Sequence, residues 1–172
     1  MNAAPSPVFL TAEWRHLAML NYEVDSKILA LHVPPGTELD LWNGRSLVSV
    51  VGFLFQNTRV MGIPIPFHRN FEEVNLRLYV RRKSPEGWRR GVVFIKELVP
   101  RRAIAWTART FYNEPYVALP MSYQIETDDS HAIKSVRYAW RFNGKPNFMR
   151  LVFRGEAEAL REGSEQEFIT EH

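Results

Sequence analysis

The run Gly62-Ile-Pro-Ile-Pro-Phe-His68-Arg69-Asn70-Phe71-Glu72-Glu73-Val74-Asn75-Leu76-Arg77-Leu78-Tyr79-Val80-Arg81-Arg82 sets the reading of the whole chain. From Val74 onward, Val74, Leu76, Leu78 and Val80 point one way while Asn75, Arg77, Tyr79 and Arg81 point the other, which is the period of a strand. The prolines ahead of it stiffen a loop that delivers His68, Arg69 and two carboxylates to the mouth of that strand. Binding sites are commonly assembled this way on a rigid sheet.

Strand signals dominate on both sides of this run. Ser84-Pro-Glu-Gly87 marks a turn, and residues 88–99 form the next strand. Its faces are expected to be Val92, Phe94, Lys96, Leu98 and Val93, Ile95, Glu97, Val99, so whichever face is buried holds a charge that needs a partner. Upstream, residues 37–42 and 45–55 flank Asn43-Gly44, a strong hairpin signal. The second arm is apolar on both faces and therefore reads as covered on both sides. Gly52 in its middle marks a bulge, a bend or a close backbone approach. Residues 116–125 are strand-like, with Pro120 demoting them to an edge or bulged strand. Residues 134–142 and 148–153 make a further hairpin around Asn143-Gly144, and residues 167–172 begin one more strand.

Helices are expected in three places. Residues 11–20 start with a capping threonine and set Trp14, Leu17 and Ala18 at helical spacing, with residues 21–24 as a brief strand after them. Asp25 caps a second helix that Pro34-Pro35-Gly36 ends. Residues 100–112 carry a third stripe of Ile104, Ala108 and Phe111. Few helices and many hairpin-linked strands imply one α+β, mostly antiparallel β domain over residues 1–172.

Composition narrows the function. The chain has no cysteine, which excludes a disulfide scaffold, a thiolate metal site and a cysteine nucleophile. With no basic and apolar leader and no apolar run near the roughly 20 residues of a membrane helix, a soluble cytoplasmic protein with no membrane partner is expected. The net charge of +3 comes with scattered basic pairs at 81–82, 89–90 and 101–102, each close to acidic residues. A nucleic-acid binder shows a contiguous basic face with stacking aromatics, so no nucleic-acid partner is expected. Phosphate loops, dinucleotide fingerprints, nucleophile elbows and His-Glu-x-x-His are all missing, and no second histidine stands at ligand spacing from His68. No cofactor and no metal are expected, and a homo-oligomer is left open.

Four blocks carry a family resemblance: residues 12–22, Val33-Pro34-Pro35-Gly36-Thr37, residues 62–75, and Asn113-Glu114-Pro115-Tyr116. In order and spacing they resemble the YqjF-like family of uncharacterised bacterial proteins (domain of unknown function 2071), within the acetoacetate decarboxylase-like superfamily. The resemblance runs from about Leu10 to the end. It implies a curved, mostly antiparallel β-barrel or cone with flanking helices and a pocket inside. The superfamily's decarboxylases form a Schiff base on a lysine whose pKa an adjacent lysine depresses. In the segment that resembles theirs, residues 109–117, Tyr116 and Val117 stand where the lysine pair belongs, so that mechanism is not implied. Relatives continue beyond the block at 168–172, so the chain reads as a natural short form or a truncated one.

The ligand-binding candidates are His68, Arg69, Asn70, Glu72, Glu97, Arg109, Glu114 and Tyr116. His68 suits general acid–base work and Arg69 a carboxylate or phosphate clamp; the alternative is a junction in which Asn70 caps the turn and Arg69 pairs with Glu72 or Glu73. Glu97 either lines a pocket or pairs with Arg77, Arg101 or Arg109. Tyr116 either donates to a ligand oxygen or fills the pocket itself. The expectation is a pocket for a small anionic or carbonyl-bearing metabolite, with enzyme activity open and a plugged, non-catalytic interaction protein as the alternative.

Overall fold

A computed structural model describes residues 10–64, 69–100, 116–156 and 158–172, with the side chains of Leu10 and Val60 left aside. His68, Arg109, Glu114 and all but the first residue of the helix expected over 100–112 lie outside these residues. The larger sheet has the order β1 (Leu10–Glu23), β3 (Leu47–Val60), β5 (Phe71–Ser84), β6 (Gly87–Val99), β7 (Tyr116–Ala118), with β2 (Glu38–Leu39) on β5 and β4 (Ile63–Pro64) on β3. A second sheet is β10 (Lys145–Val152), β9 (Ile133–Phe142), β8 (Met121–Thr127). Every pairing is antiparallel except β6 with β7. Among the described residues β1 and β7 do not pair, so the larger sheet stays open and they form no closed barrel.

β3 and β5 are apolar on both sides because both sides are covered. On one face Ala18, Leu54, Val74 and Leu98 pack against Val136, Tyr138 and Met149 of the second sheet. Helix α1 (Ser26–Leu29), capped by the Asp25 carboxylate as its sequence predicts, adds Leu29 against Val48, Leu78 and Val80. The opposite face carries Val51, Phe53, Phe55, Phe71, Val99 and Tyr116, and next to them Leu47 and Tyr79 lie under Phe168 and Ile169 of helix α2 (Glu165–Thr170).

Three expectations are corrected here. Residues 11–20 are strand β1, not a helix. Its register against β3 shifts between Arg15 and Ala18, where His16 takes φ 55°, and the inserted residue reverses the parity of the strand. Trp14 and Met19 therefore share one face, while Ala18, expected in line with Trp14, packs on the other. Residues 167–172 form most of α2 instead of a strand; the Ser164 hydroxyl accepts from Glu167 N–H at 3.2 Å and the Glu167 carboxylate accepts from Gly163 N–H at 2.6 Å, a reciprocal cap. Asn43-Gly44 does make a turn, but it closes only a Trp42–Arg45 bridge, and the arm before it pairs with β5. The Asn143-Gly144 hairpin forms as read, with φ 49° and 75° at its two turn residues.

Pro120 marks a break: β7 stays on the larger sheet, and after Leu119 the chain crosses to the second sheet as β8. A residue without an N–H suits that change of sheet. Gly52 is the close approach that its place in β3 suggested. A Cβ there would stand 2.5 Å from Tyr138 Cδ2. The Tyr138 hydroxyl donates to the His16 carbonyl at 2.7 Å, tying the bulge of β1 to the second sheet. Burial, with the nearby Tyr123 and Glu72, pushes that hydroxyl far above the ordinary tyrosine range, so it remains a donor. Tyr138→Phe is expected to cost about 1 kcal/mol in urea unfolding, the value of one hydrogen bond in a well-packed setting. No helix among the described residues is long and apolar enough to cross a membrane.

Candidate functional site

The registers line up Met19, Val51, Asn75, Glu97 and Tyr116 in one row across β1, β3, β5, β6 and β7. Glu73 lies one step along β5, opposite Phe53. This face opens into a cleft of about 350 Å³ lined by Ala12, Trp14, Phe55, Glu73, Phe94, Glu97 and Tyr116. Its walls are aromatic: Trp14 stacks on Phe53 at 4.6 Å and meets Phe55 edge-on at 6.0 Å.

A bulge in β6 builds one wall. Leu76 pairs with Lys96 but Arg77 pairs with Phe94, which leaves Ile95 as the extra residue. Phe94 therefore joins Glu97 at the cleft, while Ile95 packs with Val93 near Leu78 on the far face. The strict alternation expected for residues 88–99 is corrected accordingly.

Glu73, Asn75 and Glu97 are each 2% exposed, deeply buried for such polar groups. Glu73 accepts at both oxygens: the Tyr116 hydroxyl donates to Oε2 at 3.0 Å and Asn75 Nδ2 donates to Oε1 at 3.2 Å. Tyr116 is itself buried, its ring part of the aromatic cluster of Phe53, Phe55 and Phe71. A carboxylate held by a phenol inside an aromatic-walled cleft, with a second carboxylate on the next strand, can hold or move a proton beside a bound molecule.

The predicted residues divide. Glu97 and Tyr116 come together at the cleft. Arg69 and Asn70 are exposed and hold the approach of β3 to β5: Asn57 N–H donates to Asn70 Oδ1 at 3.0 Å, Thr58 N–H donates to the Arg69 carbonyl at 3.0 Å, and Arg69 Nη2 reaches Asn57 Oδ1 at 3.5 Å. Glu72 is buried, but the pleat turns it to the face of Leu54 and Tyr138, away from Glu73. Lys96 also turns from the cleft and sits 5.1 Å from the Phe142 ring centroid. The chain's other lysines, Lys27, Lys83, Lys134 and Lys145, are equally absent from the lining. Among the described residues no three His, Asp or Glu side chains gather to hold a metal ion.

Asn75, Trp14, Phe55 and Phe94 were not singled out as site residues from the sequence, and Glu73 entered only as a carboxylate near His68 and a partner for Arg69. For Glu73 the signal was present, since it shares the parity of Asn75 and Tyr79. For Phe94 there was none, because the bulge at Ile95 leaves no mark in the alternation.

Known proteins bear on this arrangement at two levels. At the level of fold, the chain is similar to acetoacetate decarboxylase from Legionella pneumophila, with a TM-score of 0.66 and 13% identity over 98% of this chain and 60% of that one. It is also similar to the enduracididine biosynthesis enzyme MppR complexed with the condensation product of pyruvate and imidazole 4-carboxaldehyde, with a TM-score of 0.64 and 12% identity over 92% of this chain and 60% of that one. At the level of sequence, it is 36% identical to the uncharacterised protein YqjF of Bacillus subtilis over 104 residues, 60% of this chain and 41% of that protein. The chain thus spans well under two thirds of the length of these relatives. Residues 11–172 match the model of an uncharacterised conserved protein family, and the chain belongs to that family, DUF2071.

Proposed function

We propose that this protein binds a small carbonyl-bearing metabolite in the cleft between Trp14, Phe94 and Tyr116, without forming an imine to it. The observation that carries the reading is the Tyr116–Glu73 hydrogen bond of 3.0 Å at the floor of an aromatic-walled cleft. A phenol that releases Glu73 can donate to a ligand carbonyl, and the freed carboxylate can take a proton from the carbon beside it. The names of the two fold relatives, a decarboxylase of acetoacetate and an enzyme holding a condensation product of pyruvate, lend support by analogy of fold alone.

Charge weighs toward the carbonyl over the anion. Among the described lining residues no basic side chain offers an anion a clamp, while the Tyr116 hydroxyl suits a single carbonyl oxygen. Against a cleft plugged by its own side chains stands the space of about 350 Å³ that remains beside the buried Tyr116 ring.

Thermal-shift screening against small ketones, aldehydes and keto acids tests the reading. A ligand at 100 times its dissociation constant should stabilise by about 2.7 kcal/mol, and Tyr116→Phe should weaken it about tenfold, the loss of a hydrogen bond into a buried site. Lack of any stabilising carbonyl compound, or binding indifferent to Tyr116→Phe, counts against it. Borohydride added with the bound carbonyl compound should leave the protein mass unchanged, since no lysine lines the cleft; a stoichiometric reduced adduct would contradict the imine-free reading.

A further inference from the structure

Among the described residues, Asn75 Oδ1 and Arg77 Nε on β5 are buried polar atoms beside this cleft with no hydrogen-bond partner. Asn75 and Arg77 stand on one face of β5, two residues and roughly 7 Å apart. Their partners across β6 are Glu97 and Phe94, both of which line the cleft. The orientation of the Asn75 amide follows from its own bond, because Nδ2 donates to Glu73 Oε1 and Oδ1 is thereby the free end. Arg77 is fixed as well: Nη2 donates to the Ile169 carbonyl of α2 at 2.9 Å, and the guanidinium lies 5.6 Å from the centroid of the Tyr79 ring. Buried polar atoms are nearly always satisfied, so an acceptor and a donor left open two residues apart on one face of β5 ask for one group that can answer both.

We infer that Asn75 Oδ1 and Arg77 Nε–H read a hydroxyl group, and that the ligand of the cleft is a neutral hydroxy-carbonyl compound. This deepens the function proposed above and rests on it. A hydroxyl is a donor and an acceptor at once: it donates to Asn75 Oδ1 and accepts from Arg77 Nε–H. A carboxylate only accepts; it satisfies Arg77 and leaves Asn75 Oδ1 facing another acceptor. A plain ketone whose oxygen is held by Tyr116 has nothing left for either atom. Sites built to bond a substrate hydroxyl reject analogues without it more strongly than apolar pockets reject a surplus methylene. Arg77 and Asn75 then act as specificity residues from β5, paired across to the lining residues Phe94 and Glu97, with Tyr116 binding the carbonyl.

Three probes that share an acetyl group decide the matter: hydroxyacetone, pyruvate and 2-butanone, titrated calorimetrically into the wild-type protein and the variants Tyr116→Phe, Arg77→Met and Asn75→Leu. Hydroxyacetone is expected to bind wild type at least about tenfold tighter than the other two. Arg77→Met and Asn75→Leu are each expected to bring that advantage below about twofold, read as the ratio of hydroxyacetone to 2-butanone affinity within the same variant. Equal affinity for hydroxyacetone and 2-butanone, with both weakened by Tyr116→Phe, overturns the hydroxyl reading and spares the carbonyl cleft. Tightest binding by pyruvate overturns it in favour of an anion. Silence from all three probes overturns both readings. The comparison of ligands in wild type needs no variant, so a substitution that fails to fold does not blunt the test.

Discussion

Gly52→Ala is expected to destabilise the protein by about 3 kcal/mol, at the upper end of the usual range for overpacking a core. The added methyl would stand 2.5 Å from Tyr138 Cδ2 and 3.0 Å from both Tyr138 Cγ and Met149 Sδ. Met149 is unbranched and can turn aside. Tyr138 cannot yield so easily, for its ring is fully buried and its hydroxyl is bonded to the His16 carbonyl at 2.7 Å. Relief must come from separating the sheets or from breaking that bond. Urea unfolding checks the result, and for a chain of this size the melting temperature should drop by roughly 6–12 °C. Gly91 on β6 is the control: nothing lies within 4 Å of a Cβ added there, so Gly91→Ala should stay within about 0.5 kcal/mol of wild type. Equal stabilities for the two variants would mean that β3 and β9 are not clamped at this point.

Asp40→Asn is expected to cost about 2 kcal/mol, discounted from the full penalty of breaking a buried ion pair because its arginines are partly exposed. Asp40 is buried where β2 meets the larger sheet, and it accepts from Arg90 Nε at 2.7 Å and from His172 Nε2 at 2.9 Å, with Arg81 Nη1 at 3.8 Å. His172 also places Nδ1 on the Phe168 carbonyl at 2.5 Å and packs edge-on against Tyr79, which seats α2 on the sheet. Burial holds the His172 pKa below its ordinary value. The Phe168 carbonyl and Asp40 oppose that shift, and Arg90 adds to it. The sign follows from linkage. A histidine with a depressed pKa binds fewer protons folded than unfolded, so stability rises with pH through the window between its folded pKa and the ordinary value of about 6.5, and is lost as pH falls through that window. Unfolding measured from pH 7.5 down to pH 5 should show this loss, and His172→Gln should flatten it. A wild-type protein that gains stability on acidification would show that the two acceptors on the imidazole outweigh its burial.

Much of the fold was legible because its strands advertise their pleat. The alternation from Val74 to Arg81 gave β5, the apolar run after Asn43-Gly44 gave β3, and Asn143-Gly144 gave the β9–β10 hairpin. What stayed hidden was mostly a bulge. At His16 one extra residue interrupts the alternation of β1, and at Ile95 another moves Phe94 to the cleft face. Helix α2 was misread because Phe168-Ile169-Thr170 has strand-like residues, while the cap from Ser164 to Glu167, which decides the matter, lies just before them. At the site, Tyr116 was reached through the family resemblance and Glu97 through its charge on an apolar face. Glu72 was chosen over Glu73 although the two point to opposite faces, a distinction that extending the Val74–Arg81 parity back by two residues would have supplied.

The segment from Tyr116 to Thr127 has a kinetic consequence. The β5–β6 and β9–β10 hairpins close through short turns and can form early, each from its own neighbourhood of sequence. β7 adds to β6 in parallel, and its continuation must find β9 in the other sheet. Its closure waits for both sheets to exist. Tyr116 therefore takes its place late on the folding path, and by the same reasoning early in any partial opening, so the amides of β7 should exchange with solvent sooner than those of β3 or β9.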